Sequence, residues 1–305
     1  MRHVLNLLEL GTADIERIFE ISRELKGQLA AGIRKPILPG RVLAMLFEKP
    51  SLRTRVSFET AMAHLGGTSL FLGSEVGWGK RESAADFASV LSQYVDAVVC
   101  RTYSHSRIEE LARYCTVPVI NGLTDSAHPC QALADLFTLD EIHGPLTGKR
   151  LAYIGDANNV ASSLAVCCGK LGVELAVASP PNYQFPKAFP EQLAREMPEA
   201  KIVLTDDPRE AVRDAVGVYT DVWTSMGQED QQEARRQAFA PYQINAALME
   251  QAPEGAVFLH CLPAHRGEEV TDEVIDGHYS AVLVQAGNRM HVEKGLLAWL
   301  LKAEI

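Results

Sequence analysis

The 305-residue sequence has no CxxC pair, no long run of one charge, no GxGxxG fingerprint and no apolar stretch near the ~20 residues of a membrane span. Its six cysteines (Cys100, Cys115, Cys130, Cys167, Cys168 and Cys261) follow no regular spacing and mostly sit in apolar runs. That excludes a disulfide framework and fits a reducing cytosol. The opening Met1-Arg2-His3, followed by an amphipathic stretch, lacks the apolar core of a secretory signal, so a cytoplasmic protein with no membrane partner is expected. Basic residues are outnumbered, 29 Lys+Arg against 39 Asp+Glu for a net charge of −10, and no basic face is concentrated enough to neutralise a duplex, so nucleic acid is not an expected partner. In so acidic a chain, arginines placed in apolar or Ser/Thr-rich contexts stand out as ligands for a small anion.

What is present is an ordinary globular composition, 47% hydrophobic and 22% charged, in a chain long enough for two domains at about 150 residues each. After an opening helix behind Thr12, short apolar runs alternate with helical stretches. Strands are expected at Val42–Phe47, Ser69–Leu72, Ala97–Cys100 and Val117–Ile120, and helices near Arg53–Leu65, Ala84–Tyr94, Ile108–Tyr114 and Pro129–Ile142. Beyond the turn cluster Gly144–Gly148 the series restarts, with strands expected at Leu151–Ile154, Glu174–Ala178, Lys201–Leu204, Val216–Thr220, Val257–Leu259 and Ala281–Val284. The pattern predicts an α/β protein of two doubly wound parallel-sheet domains of similar size, residues 1–143 and 148–288, joined by helices. A last helix, Arg289–Lys302, is expected to pack back on the first domain.

Chemistry gathers at the ends of the strands. Phe47 is followed by Glu48-Lys49-Pro50-Ser51-Leu52-Arg53-Thr54-Arg55. Pro50 stops the ladder, Ser51 is a good N-cap, and Arg53 and Arg55 fall in the first helical turn. Cations there cost energy unless an anion balances them, so free backbone N–H groups, hydroxyls and a guanidinium together describe a phosphate site. One of the two arginines, Arg55, is expected to hold the loop. Arg101 ends the strand Ala97–Cys100, and His128-Pro129-Cys130-Gln131 opens a helix at the same sheet edge, where a His and a Gln can recognise a planar acyl or carbamoyl group. Gly155-Asp156-Ala157-Asn158-Asn159 also joins a strand to a helix, yet lacks the glycines of a dinucleotide site. Cys261 neighbours His260, but adjacent strand residues face opposite ways, which favours a small pocket-lining residue over an activated thiol.

Four segments, Phe47–Glu59 (FEKPSLRTRVSFE), His128–Gln131 (HPCQ), Asp221–Gly227 (DVWTSMG) and His260–Gly267 (HCLPAHRG), resemble the ornithine carbamoyltransferases, in order and over essentially the whole chain. The resemblance implies transfer of the carbamoyl group of carbamoyl phosphate to the δ-amine of L-ornithine, giving citrulline and phosphate, with no metal or organic cofactor. It implies that Ser51, Leu52, Arg53 and Thr54 hold phosphate, with Arg101, His128, Gln131, Cys261, Leu262 and Arg289 around the carbamoyl group. Asn159 would take the ornithine carboxylate, with Asp221, Ser225 and Met226 at its α-ammonium. Arg53, Thr54, Arg101, His128 and Cys261 would be the catalytic group, and a homotrimer would be the assembly.

Two positions depart from the family pattern. Leu52 stands where Thr is common, and the loop Gly73–Ser83 lacks a Gln common in ornithine enzymes. Either Trp78 or Lys80 is then expected to reach the carbamoyl phosphate site of a neighbouring subunit, the alternative being a surface aromatic beside a solvated basic pair. A carbamoyltransferase for acetylornithine or putrescine is the alternative activity, but Asp221 offers an anion for a free α-ammonium. A nicotinamide dehydrogenase lacks its glycine fingerprint, and a non-catalytic paralogue would have lost the site residues that remain here.

Overall fold

The inner strands of the first half, Val42–Phe47 and Ala97–Arg101, read as largely apolar runs because both of their faces are covered, the condition of a parallel sheet flanked by helices. In the computed structural model, which describes residues 2–79, 81–225, 227 and 229–304, strand β1 (Val42–Phe47) is buried at five of its six residues. The elements that follow helix α1 (Thr12–Ala30) and β1 are α2 (Leu52–His64), β2 (Thr68–Leu72), α3 (Ala84–Leu91), β3 (Ala97–Arg101), α4 (His105–Tyr114), β4 (Val119–Leu123) and α5 (Pro129–His143). The second series runs β5 (Arg150–Ile154), α6 (Asn159–Leu171), β6 (Glu174–Ala178), α7 (Ala188–Glu196), β7 (Ile202–Thr205), α8 (Pro208–Val212) and β8 (Ala215–Thr220). It continues through α9 (Gln232–Phe239), α10 (Ala246–Met249), β9 (Val257–His260), α11 (Asp272–Ile275) and α12 (Val282–Leu300).

All pairings are parallel, in the orders β2-β1-β3-β4 and β7-β6-β5-β8-β9. Both sheets start inside and wind outward in both directions, so each has a switch point, between β1 and β3 and between β5 and β8. Ligands of doubly wound sheets bind outside the carboxyl ends of strands at such points. The chain divides into two compact units, one running to Leu133 and taking up Asn288 onward, the other Ala134–Gly287, so the division falls inside α5 and α12. The turn 144–148 follows α5.

In the first unit α12 lies directly on α1. A Cβ on Gly295 would stand 2.1 Å from Ser22 Oγ and 2.7 Å from the Ile18 carbonyl, so only glycine permits that approach. Two expectations are corrected. Residues 281–284 form no strand: α12 begins at Val282, with Val282, Gln285, Arg289, Val292, Glu293 and Leu296 buried at helical spacing and Leu283 82% exposed. A four-residue apolar run carries too little periodicity to distinguish the two, and the polar inner face hid the helix period. Strand β4 lies at Val119–Leu123 rather than Val117–Ile120, because Asn121 and Gly122, which read as loop, continue the ladder.

Candidate active site

The loop leaving β1 supplies the first part. Ser51 caps α2, its Oγ accepting the Thr54 N–H at 3.3 Å and donating to Thr54 Oγ1 at 3.1 Å. No acidic residue lies in the first turn of α2, so its positive end remains available to an anion. Thr54 is buried, Arg53 half-buried, and the Leu52 side chain points out, 76% exposed, leaving only its backbone to the site. Arg55 pairs with Glu59 at 3.1 Å and lies 3.9 Å over the Phe71 ring, so of the two arginines it is the one that braces the surface.

Arg101, the last residue of β3, is buried, and the register against β4 slips by one residue there. That irregularity re-aims the strand end. Gly122 sits in it, where a Cβ would come within 3.4 Å of Thr54 Cγ2. His128, Gln131 and Arg289 are all buried. Arg289 on α12 ties the pieces together: Nη1 donates to Gln131 Oε1 at 2.8 Å and lies 3.5 Å from His128 Nε2, while Nη2 donates to Thr54 Oγ1 at 3.3 Å. Burial, then the charges of Arg289, Arg101 and Arg53, hold His128 well below the usual imidazole range. It is therefore a neutral imidazole, suited to hydrogen bonding at a carbonyl oxygen rather than to carrying charge.

The second unit assembles a different chemistry. Asn158 caps α6, its Oδ1 accepting the N–H groups of Val160 and Ala161, while its Nδ2 donates to Asp221 Oδ2 at 2.8 Å. Asp221 Oδ1 accepts the Val222 N–H at 2.8 Å and the Cys261 thiol at 3.0 Å. Burial first and the Asp221 carboxylate next push the Cys261 thiol well above its ordinary value, so it is a thiol and not a nucleophilic thiolate. Its sequence neighbour faces away: His260 Nδ1 accepts the Leu262 N–H at 2.8 Å and Nε2 lies 3.2 Å from Glu269 Oε1. Leu262 has a φ of 57°, the left-handed region a branched side chain rarely adopts. Asn159 is the first residue of α6, and Ser225 follows β8 in a loop braced by Arg235, which donates to the Trp223 carbonyl at 2.9 Å and pairs with Asp156 at 2.7 Å.

The structure thus gathers Ser51, Arg53, Thr54, Arg101, His128, Gln131 and Arg289 in one unit and Asp221, Cys261 and Asn159 in the other. Lys80 and Met226 lie outside the described residues. Trp78 is packed in its own unit's core against Phe87, with the Arg107 guanidinium 4.3 Å over its ring, rather than standing out as an arm. Sequence reasoning passed over Asn158, whose signal was an N-cap residue ahead of an apolar helix. It also passed over Lys49, a nearly buried ammonium 4.3 Å over the Tyr103 ring. Burial and then Arg101 lower the Lys49 pKa. Asp221, His260 and Cys261 could together hold a metal by their spacing. The bonds from Cys261 and Asn158 to Asp221, and from Leu262 to His260, already account for those atoms.

Residues 2–141 match the family model described as the aspartate/ornithine carbamoyltransferase carbamoyl-P binding domain, and residues 147–300 its Asp/Orn binding domain. The ornithine carbamoyltransferase of Anoxybacillus flavithermus is 53% identical over 301 residues, covering 97% of this chain and 96% of that protein. That of Bacillus subtilis is 51% identical over 303 residues, covering 98% and 94%. The solved ornithine carbamoyltransferase of Pyrococcus furiosus superposes with a TM-score of 0.95 at 46% identity, covering 100% of this chain and 98% of that one.

Proposed function

Because the chain belongs to the aspartate/ornithine carbamoyltransferase family, we propose that it transfers the carbamoyl group of carbamoyl phosphate to the δ-amine of L-ornithine, giving L-citrulline and phosphate. The observation that carries this reading is similarity along nearly the whole length to enzymes named for that activity, at about half identity. Acetylornithine and putrescine are not favoured as acceptors by any of these relatives' names.

In this reading the neutral δ-amine attacks the carbonyl carbon. A C–N bond forms, the tetrahedral intermediate collapses with cleavage of the C–O bond to phosphate, and the amine loses a proton. Ser51, Arg53, Thr54 and the backbone at Leu52 hold the phosphate and accept its growing charge. Arg101, neutral His128 and Thr54 face the carbonyl oxygen, where donors fixed in advance stabilise the charge of the transition state. Gln131, Leu262 and Arg289 orient the carbamoyl group. Asp221 and Ser225, with Met226, hold the α-ammonium, and Asn159 at the start of α6 meets the carboxylate. The protonated Cys261 thiol packs at the reacting amine without attacking. We also infer a homotrimer working in the cytoplasm. Trp78 lies in its own unit's core and so is not the side chain offered to a neighbour's site. Light scattering at three times the chain mass checks the assembly.

Citrulline formation measured with ornithine, acetylornithine, putrescine and aspartate tests the activity. Turnover with ornithine is expected to exceed that with each of the others. Faster turnover of acetylornithine or putrescine would overturn the assignment.

A further inference from the structure

Among buried groups that the mechanism leaves unused, one touches the site's central arginine. Glu293 is 0% exposed on α12, four residues after Arg289, so the two side chains share a helix face. Its Oε1 accepts from Arg289 Nη2 at 3.1 Å. The same guanidinium donates through Nη1 to Gln131 Oε1 at 2.8 Å and through Nη2 to Thr54 Oγ1 at 3.3 Å, so three elements, α2, α5 and α12, converge on one planar fork.

We propose that Glu293 is a positioning residue for the reaction: its carboxylate fixes the rotation of Arg289, so that Nη1 stays on the Gln131 and His128 side of the pocket. A fully buried ion pair gains little stability over an apolar pair of the same volume, because desolvation offsets attraction. Orientation of a planar cation with three separate acceptors is a better account of its presence. Burial raises Glu293 to about 7 while Arg289 pulls it down, so the pair with Arg289 is what keeps its pKa from rising further.

The inference rests on the carbamoyl transfer reading. Its test uses the full-length enzyme, with binding of phosphonoacetamide, a stable carbamoyl phosphate isostere, followed by calorimetry. Glu293→Leu removes the acceptor and is expected to weaken phosphonoacetamide binding and kcat by about tenfold or more, the equivalent of one charge-assisted hydrogen bond. Glu293→Gln keeps an oxygen toward Arg289 and is expected to restore both to within about threefold of the parent, with the ornithine KM nearly unchanged in each. A merely structural residue would lower the melting temperature and the active fraction without this split. Unchanged binding in Glu293→Leu, or a Glu293→Gln enzyme as impaired as the Leu variant, overturns the proposal. Citrulline formation by the parent enzyme is read separately, so failure of the activity itself is distinguishable.

Discussion

Asp221→Asn separates the two substrates. Three donors already converge on the carboxylate, the Val222 N–H and Cys261 thiol on Oδ1 and Asn158 Nδ2 on Oδ2. A carboxylate has about four lone-pair sites, so one is left for a substrate ammonium. Asparagine has one oxygen and an NH2 group. If its oxygen keeps Val222 and Cys261, its NH2 meets the NH2 of Asn158, donor against donor. That local mismatch costs about 1–3 kcal/mol, and losing a hydrogen bond to a charged ammonium removes another 1.5–3 kcal/mol, roughly, from ornithine binding. The second figure corresponds to a fall of roughly 10- to 150-fold in kcat/KM for ornithine. Steady-state citrulline formation at varied ornithine reads it, and calorimetry with phosphonoacetamide should find the other half of the site intact. Because the carboxylate helps to hold the Cys261 pKa high, the variant's thiol should also react faster with iodoacetamide at mildly alkaline pH. Equal weakening of both substrates would show that Asp221 only holds the fold, and an unchanged ornithine KM would refute its assignment to the ammonium.

Arg53→Ala should abolish measurable phosphonoacetamide binding by calorimetry, whereas Arg55→Ala, which loses only the Glu59 pair and the Phe71 contact, should bind within about twofold of the parent; comparable losses in both would reverse the division of roles. Cys261→Ala should retain turnover well above background, since a thiol pushed far above its ordinary pKa supplies no nucleophile, and complete inactivation would contradict that. Glu293 has its folded pKa raised to about 7 from 4.5, so the folded state holds its proton more tightly than the unfolded one. Its contribution to stability is full below pH 4.5 and is lost as pH rises through about 7. Denaturant titrations should therefore show Glu293→Gln gaining on the parent over that window, by on the order of 3 kcal/mol, and flattening above it. A constant offset would falsify the shift.

The sheets were legible because buried parallel strands are short apolar runs between turn signals, and β1, β6 and β8 fall within one residue of expectation. The phosphate loop was legible for a second reason: Pro50 and Ser51 mark the helix start, and Arg53 puts a cation where a plain helix start would prefer an acid. Legibility failed where function replaced apolar residues inside an element. Gln285, Asn288, Arg289, Glu293 and Lys294 are all buried on α12, so the helix shows no clean hydrophobic period and its first turn passes for a strand. Asn121 and Gly122 mislead in the same way at the end of β4. The burial of Trp78 was not legible because its sequence neighbours are glycines and charges, whereas the aromatic contact that buries it, Phe87, lies on the next helix.

The charged side chains at the two candidate sites differ in sign, and that difference supports assigning one substrate to each. The first holds Arg101 and Arg289 out of water, with Arg53 close enough to act on His128, and its carboxylate Glu293 is turned against Arg289 rather than left to oppose an anion. Two guanidinium groups held out of water suit a phosphate and would repel an amino acid's ammonium. The second unit buries Asp221 beside a thiol and a tyrosine pair whose hydroxyl protons are held tightly by burial and by that same carboxylate. Its surroundings donate to the carboxylate without neutralising it, and a cation is what they leave room for. On this reading charge favours the phosphate in the first unit and the α-ammonium in the second before any contact to the carbamoyl group or the ornithine side chain is made.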